Sequence, residues 1–168
     1  GFDGFQTGAR PQGWTFTNCN ADSDSYTGAG YFGLALPSIK LDETGDAITT
    51  RRFAQGSGEL NFWLRGSSIS LSSSLLVEEY YASTWQTLVD VSGIGNTGAT
   101  FGPYEINPAT EQLRFTYNKV TGNLAFDDVM LAAATPSPTA IPPRSPTPSP
   151  TPSALPTPPR TPTPFGFK

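Results

Sequence analysis

The sequence predicts an all-β fold, a two-sheet antiparallel jelly-roll sandwich followed by an extended, polyproline-II-like tail. Three observations carry that prediction. Apolar residues alternate with polar ones at period two over several short runs, the pattern of half-buried strands. Breaks rich in Gly, Asn and Ser separate those runs. Thirteen of the 17 prolines lie after Thr135, so one end of the chain follows a different rule. Residues 1–134 are read as the sandwich and residues 135–168 as the tail.

The strands follow in order. "ELNFWLRG" (Glu59 to Gly66) alternates Leu60, Phe62 and Leu64 against polar positions, with Trp63 the exception. "SSLLVEEYY" (Ser73 to Tyr81) and "TWQTLVDV" (Thr84 to Val91) are rich in β-branched and aromatic residues, which suit a pleated surface. "EQLRFTYNKV" (Glu111 to Val120) puts Leu113, Phe115 and Tyr117 on one face and Arg114, Thr116 and Asn118 on the other. "NLAFDDVML" (Asn123 to Leu131) is a further strand. "YTGAGYFG", "QGSG" and "GIGNTGATFG" read as breaks, and no amphipathic helix is evident. Many short strands with frequent turns imply two packed sheets, and about 130 residues suffice for such a sandwich to have its own core.

Composition excludes several functions. The net charge is −4 with 14% charged residues, against the clustered Lys and Arg that nucleic acid demands. No apolar run approaches the roughly 18 residues of a membrane span. There is no histidine, which removes Ser-His-Asp and Cys-His triads. The single cysteine, Cys19, allows no intrachain disulfide; it is either a small buried hydrophobe or half of an intermolecular bridge. The chain opens on Gly1 rather than Met, as a processed or an undetermined start would. Glu78-Glu79 and Asp127-Asp128 are adjacent on strands and face apart, whereas glycoside hydrolysis needs two carboxyls on one site, roughly 5–10 Å apart. No enzymatic activity is expected.

Three stretches, taken in order, resemble a known group. They are "GFDGFQTGARPQGWTF", "LNFWLRGSS" followed by "SSLLVEEYYASTWQTL", and "LRFTYNKVTGNLAFDDVML". Together they resemble the jelly-roll domains of bacterial surface proteins related to MAM domains and to the choice-of-anchor group, over residues 1–132. Similar Asp-Asp-Val endings occur in carbohydrate-binding modules. The resemblance implies a final strand beside the first, bringing Asp3 near Asp127 or Asp128. It also implies one of two roles for those carboxylates, bonding a backbone turn or holding a structural Ca²⁺; the turn is the favoured role and no cofactor is otherwise expected. Strand geometry sends Asp127 and Asp128 to opposite faces, so only one can point at a given site. Asn20, Asp22 and Asp24 fall at the opening spacing of a Ca²⁺ loop. Ser25 stands where that loop needs Gly, and a solvated surface loop is expected instead.

Two functions compete. The tail's three basic residues, Arg144, Arg160 and Lys168, face no acid of its own, while the body carries 7 basic and 14 acidic residues. A cationic strap and an anionic body attract. Polyproline II has no internal hydrogen bonds, so ordering the tail requires an outside surface. At about 3.1 Å per residue it spans ~105 Å, against a body ~35–40 Å across. Phe165 and Phe167 in "PFGFK", and Phe2 and Phe5 in "GFDGF", read as apolar plugs that dock on a neighbour, with edge-strand addition as one mode. The first reading is therefore a non-enzymatic subunit of an extracellular filament or surface assembly, whose partners are copies of itself. A jelly-roll head with such a tail resembles subunits of extracellular fibrils from environmental microbes. Dense Thr and Ser beside Pro suit O-linked glycans. The alternative is a carbohydrate-binding module on a Pro-rich linker, stacking sugars on Tyr80, Tyr81 or Trp85, with Trp63 and Tyr104 as further candidates. Either reading places the protein outside the cell or on its surface.

Overall fold

The computed structural model describes residues 2, 4–20, 23–56 and 58–133. By its internal contacts the chain divides into two units, Gly1–Pro136 and Ser137–Lys168. Arg144, Arg160, Phe165 and Phe167 lie outside the described residues, as does the expected boundary at 134.

A 3₁₀ turn, Phe5–Thr7, precedes the strands β1 (Thr15–Thr17), β2 (Ser25–Tyr26), β3 (Ser38–Leu41), β4 (Ala47–Thr49) and β5 (Gly58–Ser67). Then come β6 (Ser74–Tyr81), β7 (Thr84–Val91), β8 (Ala99–Ile106), β9 (Gln112–Asn118) and β10 (Asn123–Ala133). They form two five-stranded antiparallel sheets, ordered β1-β4-β9-β6-β7 and β2-β3-β10-β5-β8. This is the expected jelly-roll sandwich. No helix among the described residues is long and apolar enough to cross a membrane.

Period-two alternation builds the core as the sequence implies. Leu60, Phe62 and Leu64 of β5 turn inward, and Leu113, Phe115 and Tyr117 of β9 meet them from the other sheet. Phe115 lies 5.6 Å from Phe62 and 4.9 Å from Phe126, ring centre to ring centre. Each fully buried Phe contributes about 1.5–3 kcal/mol through area removed from water.

The N-terminal segment corrects one expectation. Phe2 and Phe5 are core residues of their own body, 3% and 0% exposed. Phe2 packs 5.9 Å from Trp14 and 5.8 Å from Phe126, and Phe5 lies 5.2 Å from Phe16. Neither ring is left to plug a neighbour, because the gap between its own sheets is the nearest apolar surface. A second correction concerns the last strand. β10 lies between β3 and β5, whereas β1 belongs to the other sheet.

The short strands β1 to β4 were not anticipated, and β8 runs through a stretch read partly as a break. Gly102 and Pro103 sit inside β8, where they are tolerated because β8 is an edge strand. The β5–β8 register shifts between Leu60 and Phe62, and a Cβ on Gly102 would stand 2.5 Å from the Leu60 carbonyl oxygen.

Candidate functional site

The outer face of the first sheet carries an aromatic pair made by a local turn. β6 and β7 are joined through Ala82 and Ser83, with φ of 49° and 63°. Two successive left-handed residues match the twist of a tight hairpin. Tyr80 and Trp85 are therefore cross-strand partners on one face, with ring centres 5.2 Å apart. Tyr81, one residue on, falls on the opposite face. The structure thus brings together two of the three expected stacking residues and separates the third.

Arginines flank the pair. Arg114 of β9 holds its guanidinium 4.3 Å from the centre of the Trp85 ring and donates from Nε to Glu78 Oε2 at 2.7 Å. Arg52 lies 5.2 Å from the Tyr80 ring centre and is ion-paired with Glu111. Gln55 Nε2 donates to the same Glu111 at 3.0 Å. The result is a half-exposed aromatic platform between charge-balanced hydrogen-bonding groups. Sequence reading placed Arg114 on the polar face of its strand. It missed Arg52 and Glu111, which are 59 residues apart and meet only in the fold.

The paired carboxylates behave as two different cases. Glu78 faces outward to Arg114, while Glu79 faces inward, accepting from Thr110 Oγ1 at 2.6 Å and the Asn107 amide at 2.8 Å. They face apart, as expected. Asp127 and Asp128 do not. The β10 register shifts between Asp127 and Met130, and Asp128 adopts φ 47°. That bulge cancels the alternation, and both carboxylates reach one loop. Asp127 Oδ2 accepts from the Gly33 amide at 3.0 Å, and Asp128 Oδ2 accepts from the Leu34 amide at 2.6 Å. Asp127 Oδ1 takes the Asp128 amide at 2.8 Å.

Three of these four oxygens thus serve backbone N–H groups. Burial pushes the Asp127 carboxyl above its ordinary value, with the Gly33 and Asp128 amides opposing. No cluster of three or more potential ligand side chains among the described residues is arranged around a metal. Asp3, the remaining expected ligand, lies outside the described residues, as does Asp22. Asp24 is buried rather than solvated. Its Oδ2 accepts from the Asn20 amide at 2.6 Å, and Lys40 lies 3.5 Å from Oδ1.

The other aromatic candidates go elsewhere. Tyr104 stacks on the core ring of Phe62, 5.8 Å away. Trp63 lies on the outer face of the second sheet, beside Leu34, Thr100 and Met130 in an open groove of about 380 Å³. Trp14 lines a smaller cavity of about 180 Å³ with Thr50, Arg51, Phe53 and residues of both sheets.

No family model matches the chain, and no curated protein matches it. Solved structures match in fold. The K1 cleaved adhesin domain of Lys-gingipain from Porphyromonas gingivalis W83 aligns with a TM-score of 0.57 at 14% identity, covering 74% of this chain and 93% of that one. The K3 adhesin domain of the same protein aligns at 0.53 and 15% identity, covering 73% and 93%. TmCBM61, solved in complex with β-1,4-galactotriose, aligns at 0.50 and 11% identity, covering 73% and 90%. Identities this low show a shared jelly-roll fold. No family model supports the narrower likeness to MAM or choice-of-anchor domains.

Proposed function

We propose that the body is a non-catalytic, extracellular carbohydrate-binding module whose platform is the outer face of the first sheet at Tyr80 and Trp85. The observation that carries this reading is the Tyr80–Trp85 pair, half exposed on an open sheet face and flanked by Arg52, Arg114 and their acids. Sugar rings present C–H faces that stack on aromatics, and their hydroxyls take hydrogen bonds from convergent polar side chains. The fold likeness supports the reading, since one of the matched modules was solved with a galactotriose. The carboxylates support the absence of catalysis. Glu78 is committed to Arg114, Glu79 faces the interior, and Asp127 and Asp128 hold a loop.

A glycan array with the full chain, followed by titration of the best ligand, tests the reading. Trp85→Ala and Tyr80→Ala are each expected to weaken binding about tenfold or more, a loss of about 1.4 kcal/mol or more. Tyr81→Ala, on the other face, is expected to bind as the parent does. Undiminished binding by both platform variants would rule the site out.

A further inference from the structure

Seven Lys and Arg residues lie in the described body, and six are engaged. Lys40, Arg52 and Arg114 pair with carboxylates, and Arg10, Arg65 and Lys119 donate to backbone carbonyls. Arg51 is the exception: exposed, and with no hydrogen bond, ion pair or ring contact among the described residues. Its position is specific. Arg51 lines the 180 Å³ cavity whose walls are Trp14, Phe53, Leu113, Val129 and Leu131. Its stem lies close against Gly13, where a Cβ would stand 3.0 Å from Arg51 Cβ. Gly13 also needs its φ of 77°, which other residues rarely adopt.

The cavity opens between the two sheets, since Leu113 turns inward while Arg114 turns out toward the platform. Arg51 is followed by Arg52, which covers Tyr80, and the segment is tied to β9 through the Gln112 side chain on the Thr50 carbonyl, 3.0 Å. The Phe53 amide donates to the Glu111 carbonyl at 2.9 Å. A ligand lying across Tyr80 reaches the cavity only by turning over the rim that Arg51 and Arg52 form.

We propose that the cavity is an acidic-sugar subsite beyond the Arg51–Arg52 rim, in which a hexuronate ring lies against Trp14 with its carboxylate on Arg51. The inference rests on the carbohydrate-binding reading above and names its ligand class. A guanidinium presents donors in a fork that matches a carboxylate, and among the described residues Arg51 is the one cation whose fork is free. The neighbouring arginines are neutralised by Glu78 and Glu111, so an anion is drawn to Arg51 rather than to the whole face. The aromatic walls suit the C–H face of a pyranose. Size limits the occupant to one ring, since a cavity of about 150 Å³ holds a benzene.

The test uses the full chain with polygalacturonate, alginate and hyaluronate, each beside its carboxyl-reduced neutral counterpart. At least one acidic polymer is expected to bind about tenfold more tightly than its reduced form. Arg51→Gln is expected to remove that difference while keeping the affinity for the reduced form, and Arg51→Lys to restore part of it. Trp85→Ala is expected to weaken both forms alike. Arg51 is exposed, so these variants leave the core intact. Three results overturn the subsite: equal binding of acidic and reduced polymers, an Arg51→Gln variant that still discriminates, or dextran sulfate binding as well as the best uronate. If neutral glycans still bind through Trp85, the platform survives that failure. If no glycan of any kind binds, both readings fall.

Discussion

Asp46 shows how a single buried side chain shapes this protein's response to pH. It is fully buried, and its Oδ2 accepts from the amides of Asp42 and Glu43 at 2.7 and 2.8 Å. Its Oδ1 has no hydrogen-bond partner among the described residues. Burial raises its pKa above the ordinary 3.8, with the two amides opposing. A carboxyl whose pKa is higher folded than unfolded binds protons better in the native state. Its charge is therefore a penalty at neutral pH that is relieved as pH falls from the raised value toward 3.8. Asp46→Asn removes the titration. The parent is expected to gain melting temperature relative to Asp46→Asn as pH falls through the raised value toward 3.8. Parallel melting profiles for the two proteins would contradict this account. Cys19 belongs to the same neighbourhood. Burial, then the charges of Asp46 and Asp24, push its thiol up to about 12. It is a buried thiol donating to the Thr17 carbonyl, which leaves no exposed sulfur for a bridge to another chain.

The β6–β7 hairpin is the element that makes the platform, and it does so at a cost. Ala82 and Ser83 both occupy left-handed backbone, which strains residues with a Cβ. Asn-Gly is the preferred pair for such a turn. The double change Ala82→Asn and Ser83→Gly is expected to stabilise the protein by about 1–2 kcal/mol. It should not alter glycan affinity, because Tyr80 and Trp85 keep their partnership. Urea denaturation and a binding titration check the two halves separately, and a fall in affinity would mean that the turn itself contacts ligand. The bulge in β10 is a comparable device. By setting Asp128 at φ 47° it aims two successive carboxylates at the Gly33–Leu34 segment, which an unbroken strand could not do. Gly33 is required there, since a Cβ would stand 1.9 Å from Asp128 Oδ2.

At the scale of the whole body, the N-terminal segment completes the core. Phe2 is within ring contact of Trp14, Phe16 and Phe126, and so joins residues far apart in the sequence. Phe2→Ala is expected to cost about 3–5 kcal/mol, the range for removing a buried ring and leaving a cavity. A plug for a neighbouring subunit would behave otherwise, losing self-association while the monomer's unfolding midpoint stayed put. Equilibrium denaturation at low protein concentration separates the two outcomes. The filled core also leaves the outer sheet faces free of structural duty, and the platform uses one of them.

Sequence alone determined the fold class and five of the strands. β5, β6, β7, β9 and β10 were legible because period-two burial is a local property: each residue's face follows from its neighbour's. β7 spans Thr84–Val91, the stretch read for it. Local alternation also separated Glu78 from Glu79. Only the tertiary structure decided which face was out, and therefore that Tyr80 rather than Tyr81 joins Trp85. It alone brought Arg52 to Glu111, left Arg51 free beside Trp14, and drew Phe2 and Phe5 inward. The short strands β1 to β4 escaped notice because two to four residues hold too little periodicity to register. Bulges defeat the local rule outright: one extra residue resets the alternation, and long-range packing determines where it is inserted.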